Sequence, residues 1–234
     1  MFLNEEEKLH NIHRIGNQIY PEILFVKTTS NNLYLMMQTS IFNLDKFLLN
    51  KTTEKKVVDF VLMKQHMNML FKDTSLLKYL LDSQRKIDFK LDIKSFETFS
   101  KSLDYIKNKY SNTYVNTALA HRDLTPWNMK LCYKNLYIYD WEYAKYDWIS
   151  ELDYVHFIIQ PLILARFKIP YIVSRYKNAD FTVFKSSLDK MDLLRLYCLD
   201  MITLYTLRDD IGYNDKTVKM WIELLIVLED YNEI

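Results

Sequence analysis

Residues 120–143, with the sequence AHRDLTPWNMKLCYKNLYIYDWEY, carry the pattern that decides how this chain folds. Asp123 is followed by Asn128 after five positions, and by Asp140 after a further twelve. The pair Lys134-Asn135 is a polar turn between two short apolar runs, which predicts a β-hairpin. Such a hairpin brings Asp140 back to face the segment that carries Asp123 and Asn128.

These residue types at this spacing suit phosphoryl transfer, which needs positioning and charge neutralisation more than covalent chemistry. A carboxylate beside an acceptor hydroxyl orients that hydroxyl and takes its proton. Amide and carboxylate oxygens are ligands that Mg²⁺ accepts. Asp123 is therefore the candidate catalytic residue, and Asn128 and Asp140 are the candidate magnesium ligands.

The composition is that of a globular protein. The chain has 234 residues, of which 49% are hydrophobic and 26% are charged, and this excludes a disordered tail or a fibrous repeat. The length suits one large domain or two small lobes. The formal net charge is +1, so the chain lacks the global positive field of a nucleic-acid-binding protein, and we expect no nucleic-acid partner.

The sequence predicts a cytoplasmic protein without a membrane span. Apolar runs such as 154–167 fall short of the roughly 20 residues that a span needs. The N-terminal segment MFLNEEEKLH turns acidic at once, unlike a signal peptide. Two cysteines, Cys132 and Cys198, form neither a disulfide framework nor a metal pattern, as expected in a reducing compartment.

Apolar periodicity predicts an α+β fold dominated by helices. A hairpin is expected from 23–28 and 33–38, and short strands at 115–120, 130–133 and 136–139. Helices are expected at 57–71, 96–110, 152–167, 188–207 and 217–231.

The segment 121–128, HRDLTPWN, resembles the catalytic loop of the aminoglycoside phosphotransferase and choline kinase family. The segment 139–142, YDWE, resembles the magnesium-binding strand end of the same family. The resemblance implies a protein-kinase-like fold with a truncated N-lobe and a complete helical C-lobe. It also implies ATP- and Mg²⁺-dependent phosphorylation of a hydroxyl on a small molecule, of the amino alcohol, sugar or aminoglycoside type.

The resemblance assigns further residues and a division of the chain. His121 and Asp153 are expected to be structural supports of the catalytic loop. Met37, Gln38 and Thr39 correspond to the hinge that binds adenine through backbone groups. Residues 1–40 would form the residual N-lobe with its hinge, and residues 41–234 the C-lobe.

Two departures from the family pattern leave alternatives open. The family's first strands, with their phosphate loop and lysine, have no counterpart, and the chain has only two glycines, Gly16 and Gly212. Arg122 stands where these small-molecule kinases usually have glycine. The alternative is a catalytically impaired or truncated kinase-like protein, acting as a binding module or as half of a split enzyme. A missing N-terminal segment or a partner chain would then complete it.

Three side chains near the motif have no single interpretation. The role of Arg122 stays open. Glu142 either contacts a second metal through water or is an ordinary hydrogen-bonding carboxylate. His156, in an apolar segment, is predicted to be a core histidine whose hydrogen bonds are satisfied.

Overall fold

The computed structural model describes residues 23–28, 33–37, 42–43, 51–64, 66–132, 135–208 and 215–232. In these ranges the strands are β1 Ile23–Thr28, β2 Leu33–Met37, β3 Phe42–Asn43, β4 Met67–Leu70, β5 Tyr114–Ala120, β6 Met129–Cys132, β7 Asn135–Ile138 and β8 Lys145–Ile149. The helices are α1 Lys51–Met63, α2 Ser75–Asp88, α3 Ile93–Tyr110, α4 Leu152–Leu164, α5 Ile169–Lys177, α6 Lys190–Leu207 and α7 Asp215–Glu229. The predicted helix-dominated α+β class is confirmed.

The described strands form three small antiparallel sheets. β1 pairs with β2, β6 lies between β3 and β7, and β5 lies between β4 and β8. The predicted hairpin is present as β6–β7, with each strand starting one residue earlier than predicted and with Asn135, predicted as a turn residue, paired with Cys132. β5 runs directly into the loop at residue 121, so the sheet around β5 sets where that loop begins.

The helix α3 shows how local sequence positions these elements. Asp92 caps its first turn by accepting a hydrogen bond from the Ser95 backbone N–H at 3.0 Å. Phe99, Leu103 and Ile106 follow helical spacing and are all buried. The apolar face thus packs inward, and the chain that leaves α3 enters β5.

Two helices, α4 and α6, are buried on nearly all sides rather than along one face. Buried polar residues interrupt their apolar sequence, among them Asp153, His156 and Asp200. A polar group in such a position needs a hydrogen-bond partner, because burial without one is costly. These residues therefore indicate where the core supports a site.

The structure corrects the predicted helix at 57–71. The helix α1 ends at Met63, and Met67–Leu70 form β4, with Met69 opposite Val115 of β5. A short apolar run fits either a strand or a buried helix by periodicity alone, and pairing with β5 decides it. β8, which the sequence analysis did not predict, completes the same sheet, with Ile149 opposite Thr117.

The last predicted helices are confirmed in outline but differ at their ends. α4 ends at Leu164 instead of 167, and Arg166 has a left-handed φ of 57°. That conformation ends a right-handed helix.

Among the described helices, none is both long and apolar enough to cross a membrane.

A pair of phenylalanine variants tests this packing. Phe99 on α3 is fully buried, whereas Phe89, just after α2, is 90% exposed. We expect Phe99→Ala to lower the free energy of unfolding by about 3–5 kcal/mol, because it leaves a cavity in the core. Phe89→Ala, the matched control, should change it by less than about 0.5 kcal/mol. Urea denaturation measures both, and equal effects would contradict the assigned core.

Candidate active site

The buried carboxylate of Asp153 on α4 anchors the start of the loop after β5. Its Oδ2 accepts a hydrogen bond from the His121 backbone N–H at 2.8 Å, and its Oδ1 accepts one from the Arg122 backbone N–H at 2.9 Å. Arg122 has a φ of 65°, in the left-handed region that is unfavourable for a residue with a Cβ. This turn lets successive N–H groups reach one carboxylate, and glycine would adopt it at less cost.

Lys64 also contacts Asp153, which the sequence did not predict. Its Nζ forms an ion pair with Asp153 Oδ2, and both side chains are at most 4% exposed. Burial opposes ionisation of Asp153, but Lys64 and the hydrogen bonds outweigh it and hold the carboxyl pKa below its ordinary value. The anchor is therefore an ionised carboxylate with three donors.

Arg122 is held by a second buried carboxylate. Its guanidinium forms an ion pair with Asp200 on α6 through Nη2 and Oδ1 at 2.5 Å, and it lies 4.4 Å from the Trp148 ring. The Trp148 indole N–H donates to Asp200 Oδ2 at 2.8 Å. The centroid of the Tyr79 ring lies 5.1 Å from the same guanidinium. Arg122, whose role was open, thus holds the loop within the core.

His121 fastens the loop to the strand end that carries Asp140. Its Nε2 lies 2.6 Å from the Tyr139 carbonyl, and the Asp123 backbone N–H donates to its Nδ1 at 3.2 Å. Because a carbonyl only accepts, Nε2 carries the proton and Nδ1 accepts. Complete burial lowers the pKa of His121, which favours this neutral form. The ring packs on Trp141 with centroids 4.6 Å apart.

Asp123 and Asn128 are in direct contact. The Asn128 amide Nδ2 donates to the Asp123 carbonyl at 2.9 Å and to its Oδ2 at 2.8 Å. Both partners are acceptors, so the amide orientation follows from chemistry. Asn128 Oδ1 is then the atom that would serve a cation. The Asp123 side chain is 22% exposed, which keeps it within reach of a ligand.

Asp140 lies at the open end of the β6–β7 hairpin, next to Asn128. The Tyr139 backbone N–H donates to the Asn128 carbonyl at 2.9 Å, which extends the hairpin by one step. Asp140 itself is exposed and has a left-handed φ of 63°. Trp141 is buried behind it, with its indole N–H on the Ile138 carbonyl at 3.0 Å. Glu142, whose role stays open, is half-buried.

Asn128 and Asp140 fit a magnesium ion whose other ligands are water and substrate phosphates. Asn128 and Asp140 offer hard oxygen atoms from adjacent segments. The described residues contain no group of three or more His, Cys, Asp or Glu side chains that could hold a metal by themselves. Mg²⁺ usually keeps waters and binds one or two carboxylates together with substrate phosphates, so two protein ligands are sufficient.

His156 belongs to the site, although the sequence indicated only a core histidine. It is buried, and its Nε2 lies 3.1 Å from Asp123 Oδ1. His156 follows Asp153 by three positions on α4, so the two share one face of the helix. This three-residue spacing could have predicted the contact, because the face of α4 that carries Asp153 must lie against the loop.

The predicted adenine hinge is mostly outside the described residues. Met37 ends β2, and Gln38 and Thr39 lie outside the described ranges. The proposed boundary between residues 40 and 41 lies there too. These assignments stay predictions.

Removing Asp200 tests the buried ion pair. Asp200→Ala leaves the Arg122 guanidinium and the Trp148 indole N–H without their acceptor, so we expect about 3–5 kcal/mol of destabilisation. Adding Arg122→Gly should recover part of this, because it removes the orphaned charge and the left-handed strain. Urea denaturation measures each variant. The exposed Asp104→Ala is the matched control, and an equal loss there would contradict the prediction.

The buried His121 predicts a pH dependence of stability. Its folded pKa lies below the unfolded value of about 6.5, so the unfolded state binds more protons as the pH falls below that value. The free energy of unfolding should then fall by up to about 1.4 kcal/mol per pH unit. His121→Gln should flatten this slope between pH 7 and 5 in urea titrations. His66→Gln, at an exposed histidine, is the matched control, and equal slopes in the two variants would contradict the prediction.

Comparison of the sequence with protein-family models found no match, and comparison with curated proteins found none either. Solved structures do match the fold. A thermostable mutant of aminoglycoside phosphotransferase APH(4)-Ia aligns over 97% of this chain and 83% of its own, with a TM-score of 0.67 and 10% identity. A choline/ethanolamine kinase family protein from Mesorhizobium loti aligns over 97% and 80%, with a TM-score of 0.63 and 12% identity.

A third structure, the GDP and kanamycin complex of APH(2")-IIia, aligns over 98% of this chain and 82% of its own, with a TM-score of 0.56 and 16% identity. Before α1, the described residues contain the hairpin β1–β2 and the strand β3, and β3 pairs with β6. The chain therefore has the protein-kinase-like fold that aminoglycoside phosphotransferases and choline/ethanolamine kinases share, as its motifs predicted.

Proposed function

We propose that this protein is a phosphotransferase that moves a phosphoryl group from ATP to a hydroxyl of a small molecule with the help of Mg²⁺. The observation that carries the proposal is the held carboxylate of Asp123. Asn128 donates to one of its oxygens at 2.8 Å, and His156 contacts the other at 3.1 Å. A partly exposed carboxylate fixed in this way suits the orientation of an acceptor hydroxyl.

The proposed roles follow from position. Asp123 would accept the proton of the acceptor hydroxyl. Asn128 Oδ1 and the Asp140 carboxylate would hold magnesium. The ion, when bound, neutralises charge on the phosphates. The chain's own contribution is a rigid loop, anchored on Asp153 and joined to the Asp140 strand end by His121.

The proposed acceptor class rests on the fold neighbours, whose names include choline/ethanolamine kinase and a kanamycin complex. Amino alcohols, sugars and aminoglycosides all present a hydroxyl near an amine or another hydroxyl. Fold likeness alone does not select among them. An acceptor panel should therefore contain choline, ethanolamine, kanamycin and simple sugars.

The alternative proposal is a catalytically impaired kinase-like binding module, or half of a split enzyme that needs a further N-terminal segment or a partner chain. The observation in its favour is the glycine count of two, which leaves no glycine-rich phosphate loop within the sequence. Loss of such phosphate contacts costs several orders of magnitude in rate. This alternative predicts nucleotide binding without turnover.

Calorimetric titration of ATP with and without Mg²⁺ tests the nucleotide site. We expect Mg²⁺-dependent binding to the wild-type chain and loss of that dependence in Asp140→Ala, because a magnesium ligand is gone. The exposed Asp82→Ala on α2 is the matched control and should bind as the wild type does. Absence of binding to the folded wild-type chain would contradict both the phosphotransferase and the nucleotide-binding module, and would favour half of a split enzyme that needs a further segment or a partner chain.

Turnover with the acceptor panel then separates the enzyme from the binding module. We expect Asp123→Asn to lower kcat by about 10²- to 10⁴-fold while ATP binding persists, because only proton acceptance and orientation are lost. Phosphorylated product is measured by mass spectrometry. ATP binding without product from any acceptor would favour the binding module.

A further inference from the structure

A line of hydrogen-bonding side chains runs from Asp123 into the core. His156 Nε2 lies 3.1 Å from Asp123 Oδ1, and the Tyr197 hydroxyl lies 3.4 Å from His156 Nδ1. The same hydroxyl lies 3.3 Å from Gln160 Oε1, and Gln160 Nε2 donates to the Tyr205 hydroxyl at 2.8 Å. The line connects the loop, α4 and α6. The motif at 121–128 does not by itself predict this line of side chains.

The chemistry of these groups fixes the tautomer of His156. A carboxylate oxygen accepts, so His156 Nε2 carries a proton and donates a hydrogen bond to Asp123 Oδ1. The Tyr197 hydroxyl donates to Gln160 Oε1 and lies beside His156 Nδ1. Burial raises the pKa of Tyr197 well above its ordinary value and that of Tyr205 to about 12, so both hydroxyls keep their protons at neutral pH.

Burial makes the arrangement rigid. His156 and Gln160 are each 1% exposed and Tyr197 is fully buried. The Tyr197 ring packs edge-on against His156, with centroids 5.7 Å apart and an interplanar angle of 82°. An imidazole enclosed in this way has few rotamers, so its N–H points in one direction.

We propose that His156 is a positioning residue that holds the Asp123 carboxylate in the orientation required for phosphoryl transfer. The inference rests on the proposed function. His156 contacts Oδ1 and Asn128 donates to Oδ2, so each carboxylate oxygen has one donor and rotation of the group is blocked. α4 thereby supports the loop at two points. Asp153 binds the loop backbone, and His156 binds the Asp123 side chain.

Kinetics of two substitutions test the role. His156→Leu replaces the hydrogen-bonding imidazole with an apolar side chain that has no donor, so we expect kcat to fall by about 10- to 100-fold with the KM for ATP unchanged. His156→Gln can place an amide N–H near the same position and should restore kcat to within a few fold of the wild type. A purely structural role would affect both variants alike through stability, which thermal unfolding records. Wild-type kcat in a folded His156→Leu variant would overturn the proposal.

A second measurement does not depend on turnover. Nitrogen NMR of the imidazole rings, assigned with His156→Gln, should show a His156 protonated at Nε2 whose signals move in Asp123→Asn. Asp82→Ala is the matched control and should leave them in place. A proton on Nδ1 alone, or signals indifferent to Asp123→Asn, would overturn the proposal. If the NMR contact is present but no acceptor is phosphorylated, the positioning contact is supported and the proposed function is overturned.

Discussion

The ionised carboxylate of Asp153, buried on α4, is the constraint on which the candidate site depends. A charge in the core is tolerated only when donors surround it, and here the donors are Lys64 and the backbone N–H groups of His121 and Arg122. Because two of the three donors are backbone groups, satisfying the charge also fixes the path of the loop. The geometry of Asp123, the next residue, follows from that path.

The same constraint explains why an arginine can stand at a position where the resembling kinases usually have glycine. Presenting two successive N–H groups to Asp153 places Arg122 at a φ of 65°, which costs a residue with a Cβ on the order of 1–2 kcal/mol. The side chain offsets this cost, because its guanidinium is enclosed by Asp200, Trp148 and Tyr79. The substitution thus belongs to a larger arrangement within the core.

The local parts of this architecture could be predicted from the sequence, and the long-range parts could not. The loop, its hairpin and the helices α3, α4, α6 and α7 were predicted in outline, because turn residues and apolar periodicity act over a few positions. Lys64 lies 89 positions from Asp153, and Asp200 lies 78 positions from Arg122, so no local pattern links either pair. β4 was missed for a similar reason, since pairing with β5 decided its conformation.

The distribution of charge around the site explains why nucleotide binding there would need a magnesium ion. Asp123 and Asp140 are carboxylates on adjacent segments, in a chain whose net charge is only +1. Among the described residues, Lys64 is paired with Asp153 and Arg122 with Asp200, so the charges of these two buried cations are already balanced within the core. A triphosphate approaching Asp123 and Asp140 would meet like charge. A divalent cation between them reverses that interaction, which is why nucleotide binding at this site should require the metal.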